Sequence, residues 1–185
     1  MTSFFDITST LPWPNAIGKR TAVGPLVGAA ESEAISELAK TTPLILVITA
    51  TTAAAHNLAS ELPFFLSDER EILLVPDWET LPYDNFSPHE DIVSDRLKAL
   101  SRLPTLKSGV VIISVTTLMH RLAPRHFIDA GVLSLKTGDT LDAEQFVRNL
   151  TRNGYRSVDT VYEHGEFATR GSLLDVFPMG SDEPL

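Results

Sequence analysis

The first half of the chain alternates between helical and strand-like spacing of its apolar residues. Residues 31–40 place apolar side chains at the three- and four-residue intervals of one helical face, and residues 43–50 form a short apolar run rich in β-branched residues. Helices are also predicted over 51–62 and 92–103, and strands over 71–75 and 109–115. This order predicts an α/β domain with a parallel sheet.

The pattern changes after Pro124. A strand is predicted over 132–135 and a helix over 142–152, which Asn153-Gly154 ends with residues that tolerate positive φ. Further strands are predicted over 155–162, 165–169 and 172–177, with Arg170-Gly171 as a tight turn between the last two. The second half therefore predicts a small α+β unit.

Composition fits this division into an N-terminal extension (1–20), an α/β domain (21–130) and a small α+β domain (131–185). The chain has 185 residues and 43% hydrophobic content, enough to bury roughly 70% of its unfolded surface. It has no cysteine, which excludes disulfides and agrees with a reducing cytoplasm. The apolar run at 43–50 is too short to span a bilayer, and the N-terminus lacks the pattern of a signal peptide. We expect a cytoplasmic protein without a membrane segment.

The charge of the chain argues against a nucleic-acid-binding module. The formal net charge is −9, whereas binding to a phosphate backbone needs clustered cations. Arg148, Arg152 and Arg156 recur every four residues, but Gly154 makes a continuous helical stripe doubtful, and a solvated helix face is favoured.

Candidate chemistry is sparse. A P-loop needs G-x-x-x-x-G-K-[ST], whereas the stretch before the first predicted helix contains Gly24, Gly28, Ala29 and Ala30 and then Glu31, which would repel phosphate. The histidines show no metal-ligand spacing, so no metal and no cofactor are expected. Glu163 and Glu166 are expected to be solvent-facing or hairpin residues rather than an acid–base pair. In the segment 77–91, Trp78, Leu81, Tyr83 and Phe86 are expected to pin an ordered loop against the sheet, with Ser87 or His89 near the start of the next helix.

Two strings carry a family resemblance. The string DWETLPYDNFSPHEDIVSDR at 77–96 resembles the N-terminal region of bacterial transcription-repair coupling factors (Mfd). The string EHGEFATRGSLLDVFPMGS at 163–181 resembles the same region and also the excision-repair protein UvrB, which has the pattern GxFxxRGxxxDxFP. The resemblance implies a degenerate P-loop NTPase-like domain similar to UvrB domain 1a, followed by a truncated α+β domain similar to UvrB domain 2.

The function that the resemblance implies is docking. A UvrB-like module of this family is non-catalytic and recruits UvrA to stalled RNA polymerase in transcription-coupled nucleotide-excision repair, whereas the longer family member is an ATP-dependent DNA translocase. RNA polymerase and DNA would contact only other parts of such a protein. Arg170 matches the arginine of the family's RG pair, and a planar guanidinium suits bidentate contact with partner carboxylates. Gly171 allows close approach, and Glu166, Phe167 and Thr169 are candidates for the same surface.

One departure from the family affects the last domain. A basic and aromatic strand expected after FPMGS is absent, so the small domain is expected to be incomplete, with an exposed sheet edge that favours self-association. Two alternatives stay open: a stand-alone nucleotide-binding enzyme, distinguished by ATP binding, and a DNA-binding module, distinguished by salt-dependent affinity for DNA.

Overall fold

The computed structural model describes residues 11–14, 16–66, 70–81, 83–132 and 135–185. They form two compact units. The first combines the residues up to Leu74 with Leu106–Leu118, and the second combines Val75–Thr105 with Met119–Leu185. The second unit therefore includes residues 75–105 and 119–130, which the sequence pattern assigned to the α/β domain.

The elements follow one another in alternating order. They are α1 (Ala30–Thr41), β1 (Leu44–Thr49), α2 (Thr52–Phe65), β2 (Ile72–Val75), α3 (Glu90–Arg102), a 3₁₀ helix (Leu103–Thr105), β3 (Gly109–Ser114), α4 (Val115–Leu118), α5 (Arg125–Gly131), α6 (Ala143–Arg152), β4 (Arg156–Ser157), β5 (Glu166–Arg170) and β6 (Leu173–Val176).

The first unit contains a three-stranded sheet in the order β1-β3-β2. β1 and β3 run parallel, in a register that starts at Leu44 opposite Gly109 and ends at Thr49 opposite Ser114. Every residue of β3 is buried, as expected for the central strand of a parallel sheet. The prediction of an α/β fold with a parallel sheet is confirmed.

The core of the first unit lies between its sheet and its first two helices. Leu62 from α2 and Val110 and Ile112 from β3 are fully buried, and Ala39, Ile45, Ala55 and Leu58 complete the cluster. Small residues on the helices allow close packing against the β-branched strands. Apolar burial alone therefore holds this unit's centre.

Two residues fix how β3 enters the sheet. Gly109 has φ +148, and a Cβ built there would lie 2.4 Å from the carbonyl oxygen of Glu71, so only glycine fits. Arg70 donates hydrogen bonds to the carbonyl oxygens of Ala39, Thr42 and Pro43. A cation is favourable at the carboxyl end of α1, where the helix dipole is negative.

Helix α2 continues beyond its predicted end. The prediction stopped at Leu62 because proline disfavours the helical conformation of the residue before it. In the structure Pro63 lies inside the helix, which runs to Phe65, and the amide of Leu66 still donates to the carbonyl of Leu62. The buried Leu62 and the final hydrogen bond maintain the last turn despite the proline.

In the second unit, α3 begins as the sequence predicts. His89 is its N-cap, and its ring accepts a hydrogen bond from the amide of Asp91, while Glu90 and Asp91 occupy the positive first turn. Arg96 is fully buried, donates to the carbonyl of Pro76 and stacks 4.2 Å from the centre of the Trp78 ring. This buried guanidinium fixes the start of the segment that leads into α3.

The second unit also contains the small sheet, in the order β4-β5-β6. β4 is parallel to β5, and β5 is antiparallel to β6. Its core consists of Phe146 and Leu150 from one face of α6 with Phe167 and Val176 from the sheet. Helix α6 starts at the cap Asp142 and stops at Arg152, and Gly154 follows with φ +87, so the predicted helix and its end are confirmed.

Several predicted strands differ from the structure. Val132 and Leu135 lie outside any strand, and the residues between them lie outside the described residues. The predicted strand over 155–162 is wrong beyond Ser157. The amides of Tyr162 and Glu163 donate hydrogen bonds to the Glu166 carboxylate instead of to the carbonyl groups of a neighbouring strand. Helix α5 was not predicted, because its seven residues are too few to show a clear helical period.

One face of the first sheet is exposed along β1. Leu44, Leu46 and Ile48 alternate along this strand and are between 42% and 57% exposed. β1 lies at one end of the sheet formed by the described strands. Within the same described residues, no helix is long and apolar enough to cross a membrane.

Candidate docking hairpin

Strands β5 and β6 form a hairpin whose closed end is exposed. Arg170 pairs with Leu173, so Gly171 and Ser172 alone connect the strands. Gly171 has φ +64, which a two-residue hairpin turn requires at its first position and which glycine adopts without strain. The residues Thr169, Arg170, Gly171, Ser172 and Leu173 are all exposed, and we call them the hairpin tip.

Arg170 is held in place by a neighbour on the other strand. Its guanidinium forms an ion pair with Asp175, which lies diagonally across the hairpin, and the two side chains are 62% and 38% exposed. Such a pair contributes little stability at the surface, but it orients the planar guanidinium. The N–H groups that Asp175 does not engage are available to a second carboxylate.

Leu173 is a member of the tip that sequence reasoning did not single out. It lies opposite Arg170 and is 66% exposed. The strand alternation could have identified it from the sequence, because Leu174 and Val176 turn toward the core and Leu173 faces the other side. An apolar side chain beside a cation gives the tip both contact area and charge, and arginine is enriched among the residues that contribute most of the binding energy at interfaces.

Two of the predicted surface residues are buried instead. Phe167 is 3% exposed and packs in the core with Phe146, Leu150 and Val176. The Glu166 side chain is 10% exposed, and Glu166 is the first residue of β5. Of the two expectations for it, the hairpin position is confirmed and the solvent-facing one is wrong. Both residues therefore support the hairpin from inside, whereas Thr169, Arg170 and Gly171 lie on its surface.

The Glu166 carboxylate organises the loop before the hairpin. It accepts hydrogen bonds of 2.9 Å from the amides of both Tyr162 and Glu163, and lies 3.4 Å from the Arg156 guanidinium. The Tyr162 and Glu163 hydrogen bonds, together with Arg156, lower the pKa of Glu166 from its ordinary value of 4.5, against the opposing effect of burial. Glu166 is therefore ionised at neutral pH.

Arg148, Arg152 and Arg156 do not form a continuous helical stripe. Helix α6 ends at Arg152, and Arg156 lies on β4, where it pairs with Glu163 at 2.9 Å. Arg148 pairs with Glu144 one turn away on α6. These pairs leave the arginines as separate surface groups, in agreement with the favoured interpretation of a solvated helix face.

The candidate nucleotide loop lies before α1. Helix α1 begins at Ala30 after an Ala29 cap that offers no side-chain hydrogen bond, and Glu31 and Glu33 occupy its first turn. Gly28 has φ +63, and open space surrounds both Gly24 and Gly28. A P-loop connects a strand to a helix, whereas no described strand precedes α1.

One connection between a strand and a helix in this unit lies between β1 and α2. It consists of Ala50 and Thr51, and the Thr51 hydroxyl accepts from the amide of Ala54 at 3.1 Å. The connection contains no glycine or lysine, and the start of its helix is capped by the chain itself. The assignment of Gly24, Gly28, Ala29 and Ala30 to a degenerate nucleotide loop stays a prediction.

The aromatic segment before α3 also departs from expectation. Leu81, Tyr83 and Phe86 are between 74% and 103% exposed, so the prediction that they pin this segment against the sheet is wrong. Only Trp78 packs inward, on Arg96. The amide of Leu81 donates instead to the Asp84 carboxylate, in a local turn that leaves the apolar side chains outside.

Among the described residues, no group of His, Asp and Glu is arranged to hold a metal ion.

Comparison with known proteins gives two findings. Residues 133–185, which include the whole hairpin, match the UvrB interaction domain family. The chain is also 43% identical, over 92% of its length, to the transcription-repair-coupling factor of Escherichia coli (strain K12), and 44% identical, over 88%, to that of Haemophilus influenzae. The protein of the same name from Mycobacterium tuberculosis is 39% identical over 81% of this chain.

These relatives are much longer than this chain. It covers 15%, 14% and 12% of their respective lengths.

Proposed function

Because the chain belongs to the transcription-repair-coupling factor family over the segment that aligns, we propose that it is a non-catalytic module that binds UvrA through the hairpin tip. The observation that carries this proposal is the exposed Arg170 at the end of β5, beside a two-residue turn and inside the segment that matches the UvrB interaction domain. The match to that domain supports a protein partner of the excision-repair system.

The chemistry of the tip defines the surface that it would contact. The chain carries a net charge of −9, so most of its surface repels an acidic partner. Arg170 is an exposed cation at the end of the hairpin, and its fork matches the geometry of a carboxylate. We infer a partner site with one or two carboxylates beside a small apolar depression that accepts Leu173.

The proposal extends to the place of the chain in a longer protein. The first unit corresponds to UvrB domain 1a without a nucleotide site, and the second unit contains the counterpart of UvrB domain 2. The longer protein would be an ATP-driven DNA translocase that contacts RNA polymerase through other parts, and UvrA recruitment would couple stalled transcription to excision repair. The exposed face of β1 would support self-association of the chain alone.

The test is calorimetric titration of the chain with UvrA, alongside tip variants. Arg170→Glu should weaken binding by about 2 kcal/mol or more, roughly 30-fold, because it removes the cation and presents a like charge. Arg170→Lys keeps the charge but loses the planar fork, and should weaken binding by an intermediate factor. Arg148→Glu is the matched control, since it makes the same charge change on the exposed face of α6.

The pattern across these variants decides the proposal. Docking through the tip is supported if UvrA binding is weakened most by Arg170→Glu, less by Arg170→Lys and not at all by Arg148→Glu. The circular dichroism of all the variants should stay constant. Equal affinities for the Arg170 variants and the parent chain would exclude the tip as the contact surface. Equal weakening by Arg170→Glu and Arg148→Glu would instead indicate a response to net charge alone.

A further inference from the structure

Three side chains on one face of α3 hold the chain on either side of the hairpin. They are spaced three and then four residues apart, so they share a helical face. The pairs are Asp91 with His164 at 2.9 Å, Ser94 with the amide of Gly180 at 2.7 Å, and Lys98 with Asp182 at 2.6 Å. The first two pairs join the two strings that carry the family resemblance, and the third lies just beyond their ends. The paired residues lie 73 to 86 positions apart.

The His164 ring makes a hydrogen bond at each nitrogen. Nδ1 lies 2.9 Å from Asp91 Oδ1, and Nε2 lies 2.9 Å from the carbonyl oxygen of Ser181. A carbonyl oxygen and an ionised carboxylate only accept, and a neutral imidazole has only one N–H. The doubly protonated imidazolium is therefore the form that donates to both partners.

The surroundings of His164 restrict its movement. Its side chain is only 15% exposed, and its ring lies against Phe177 with centroids 4.0 Å apart. Its charged neighbours are Asp91 from α3 and Asp182 from the segment after β6, and Asp182 forms an ion pair with Lys98. His89 lies 3.4 Å from the second oxygen of Asp91.

The backbone at Gly180 lies close to helix α3. Its φ is +83, and a Cβ at this position would lie 3.3 Å from the Cβ of Lys98. A larger residue would therefore be strained and would press against α3. The glycine lets the chain approach close enough for its amide to reach the buried hydroxyl of Ser94.

These contacts lie at the open end of the hairpin, opposite the tip. His164 and Gly165 precede β5, and Ser181 follows β6. The amide of Gly165 donates to the carbonyl of Phe177 at 2.9 Å and closes this end. β5 extends from here to Arg170 over a length of roughly 15 Å, so any rotation at the open end is carried to the tip.

We propose that His164 is a positioning residue whose imidazolium clasps the open end of the hairpin to α3 and thereby orients the tip toward its partner. The clasp as a structural device stands on the contacts above, and its effect on docking rests on the proposed function. A ring with a single N–H can donate only one of these two hydrogen bonds, so the clasp is complete only when both ring nitrogens carry a proton.

The experiment combines hydrogen exchange and UvrA titration at pH 6 and pH 8, corrected for intrinsic exchange. In His164→Ala and Asp91→Ala, the amides of Gly165, Phe177 and Gly180 should exchange about tenfold faster than in the parent chain at pH 6. UvrA binding should weaken about tenfold at pH 6. Asp91→Asn keeps an acceptor for Nδ1, so it should retain part of the slow exchange and part of the UvrA affinity that Asp91→Ala loses.

Controls separate the clasp from general loss of stability. His126→Ala removes an exposed histidine of α5 in the same unit, and should leave both measurements unchanged. The parent chain should bind UvrA more weakly at pH 8 than at pH 6, and this difference should disappear in His164→Ala. If His164 had only a packing role, His164→Ala would keep the pH dependence of UvrA binding. A pH dependence that persists in this variant would therefore overturn the proposal.

The two readouts also separate this inference from the proposed function. Unchanged exchange in His164→Ala and Asp91→Ala would overturn the clasp, whatever UvrA does. If the parent chain fails to bind UvrA at either pH, the proposed function and the docking role of His164 both fail. Faster exchange in the two variants would then still support the clasp as a structural device.

Discussion

The two sheets of this chain are stabilised by different means. The first sheet has a central strand without a charged residue, and Val110 and Ile112 are fully buried between apolar neighbours. The second sheet has a core of only four buried apolar residues. Around it, the Glu166 carboxylate organises one loop, and His164 joins another segment to α3.

The difference shows how a small unit compensates for a small core. Apolar burial contributes in proportion to area, so the first sheet needs little else. The second has less area to bury and gains specific geometry from charged hydrogen bonds, which are stronger than neutral ones. Stability of the first unit should therefore depend on side-chain volume, and that of the second on ionisation.

The largest expected effect comes from the core of the first sheet. Ile112→Ala should lower the free energy of unfolding of this unit by about 3 kcal/mol, because it leaves a cavity at a fully buried position. Ile48→Ala is the matched control, since Ile48 is 50% exposed on the neighbouring strand. Native-state hydrogen exchange of β1 and β3 would measure both changes.

The comparison between the sheets fails if the control behaves like the core variant. A loss at Ile48→Ala as large as that at Ile112→Ala would show that the exposed face of β1 is covered in solution. Faster exchange in β5 and β6 on Ile112→Ala would show that the two units unfold together.

The first sheet was easier to predict than the second, for a physical reason. A parallel strand buried on both faces needs a continuous apolar run, and residues 109–115 show such a run directly. Residues 43–50 show one as well, although β1 is exposed on one face. The burial of Glu166 depends on two amides that turn back toward its carboxylate. No local period encodes that turn, so the sequence pattern left Glu166 as either a solvent-facing or a hairpin residue.

The candidate site was predicted in part. The hairpin turn was predicted at Arg170-Gly171 and lies one residue later, at Gly171 and Ser172. Its approximate place follows from local sequence, since a hairpin turn needs positive φ at its first position. The burial of Phe167 follows only once its packing against α6 is known. The pairing of Asp91 with His164 joins residues 73 positions apart, a separation that periodicity cannot reveal.

The next effect concerns the ionisation of Glu166. Glu166→Gln should destabilise the second unit by about 2 kcal/mol at pH 7, because it removes the charge from two hydrogen bonds to amides. The pKa of this carboxyl is lowered in the folded chain, so its contribution is present above the ordinary value of 4.5 and is lost as pH falls through the folded value. Urea unfolding followed by Trp78 fluorescence would measure this from pH 7 to pH 3.

The variant supplies its own control across that range. The gap in stability between the parent chain and Glu166→Gln should narrow as pH falls, since protonation makes the two side chains alike. A gap that stays constant down to pH 3 would contradict an ionised Glu166 as the source of the stability. Ile112→Ala should show a constant gap, because no titrating group lies in its core cluster.

The smallest effects come from the two helix caps, one in each unit. Thr51 accepts a hydrogen bond from the amide of Ala54 at the start of α2, and Asp142 accepts one from the amide of Gln145 at the start of α6. Replacing either cap with alanine should cost about 1 kcal/mol, because one amide of the first turn loses its partner. Hydrogen exchange should show Thr51→Ala affecting only the first unit and Asp142→Ala only the second. The two substitutions remove equivalent hydrogen bonds, so each should affect only its own unit. If both units responded to either substitution, the two sheets would unfold as one cooperative core. The different chemistry of the sheets would then not give them separate stabilities.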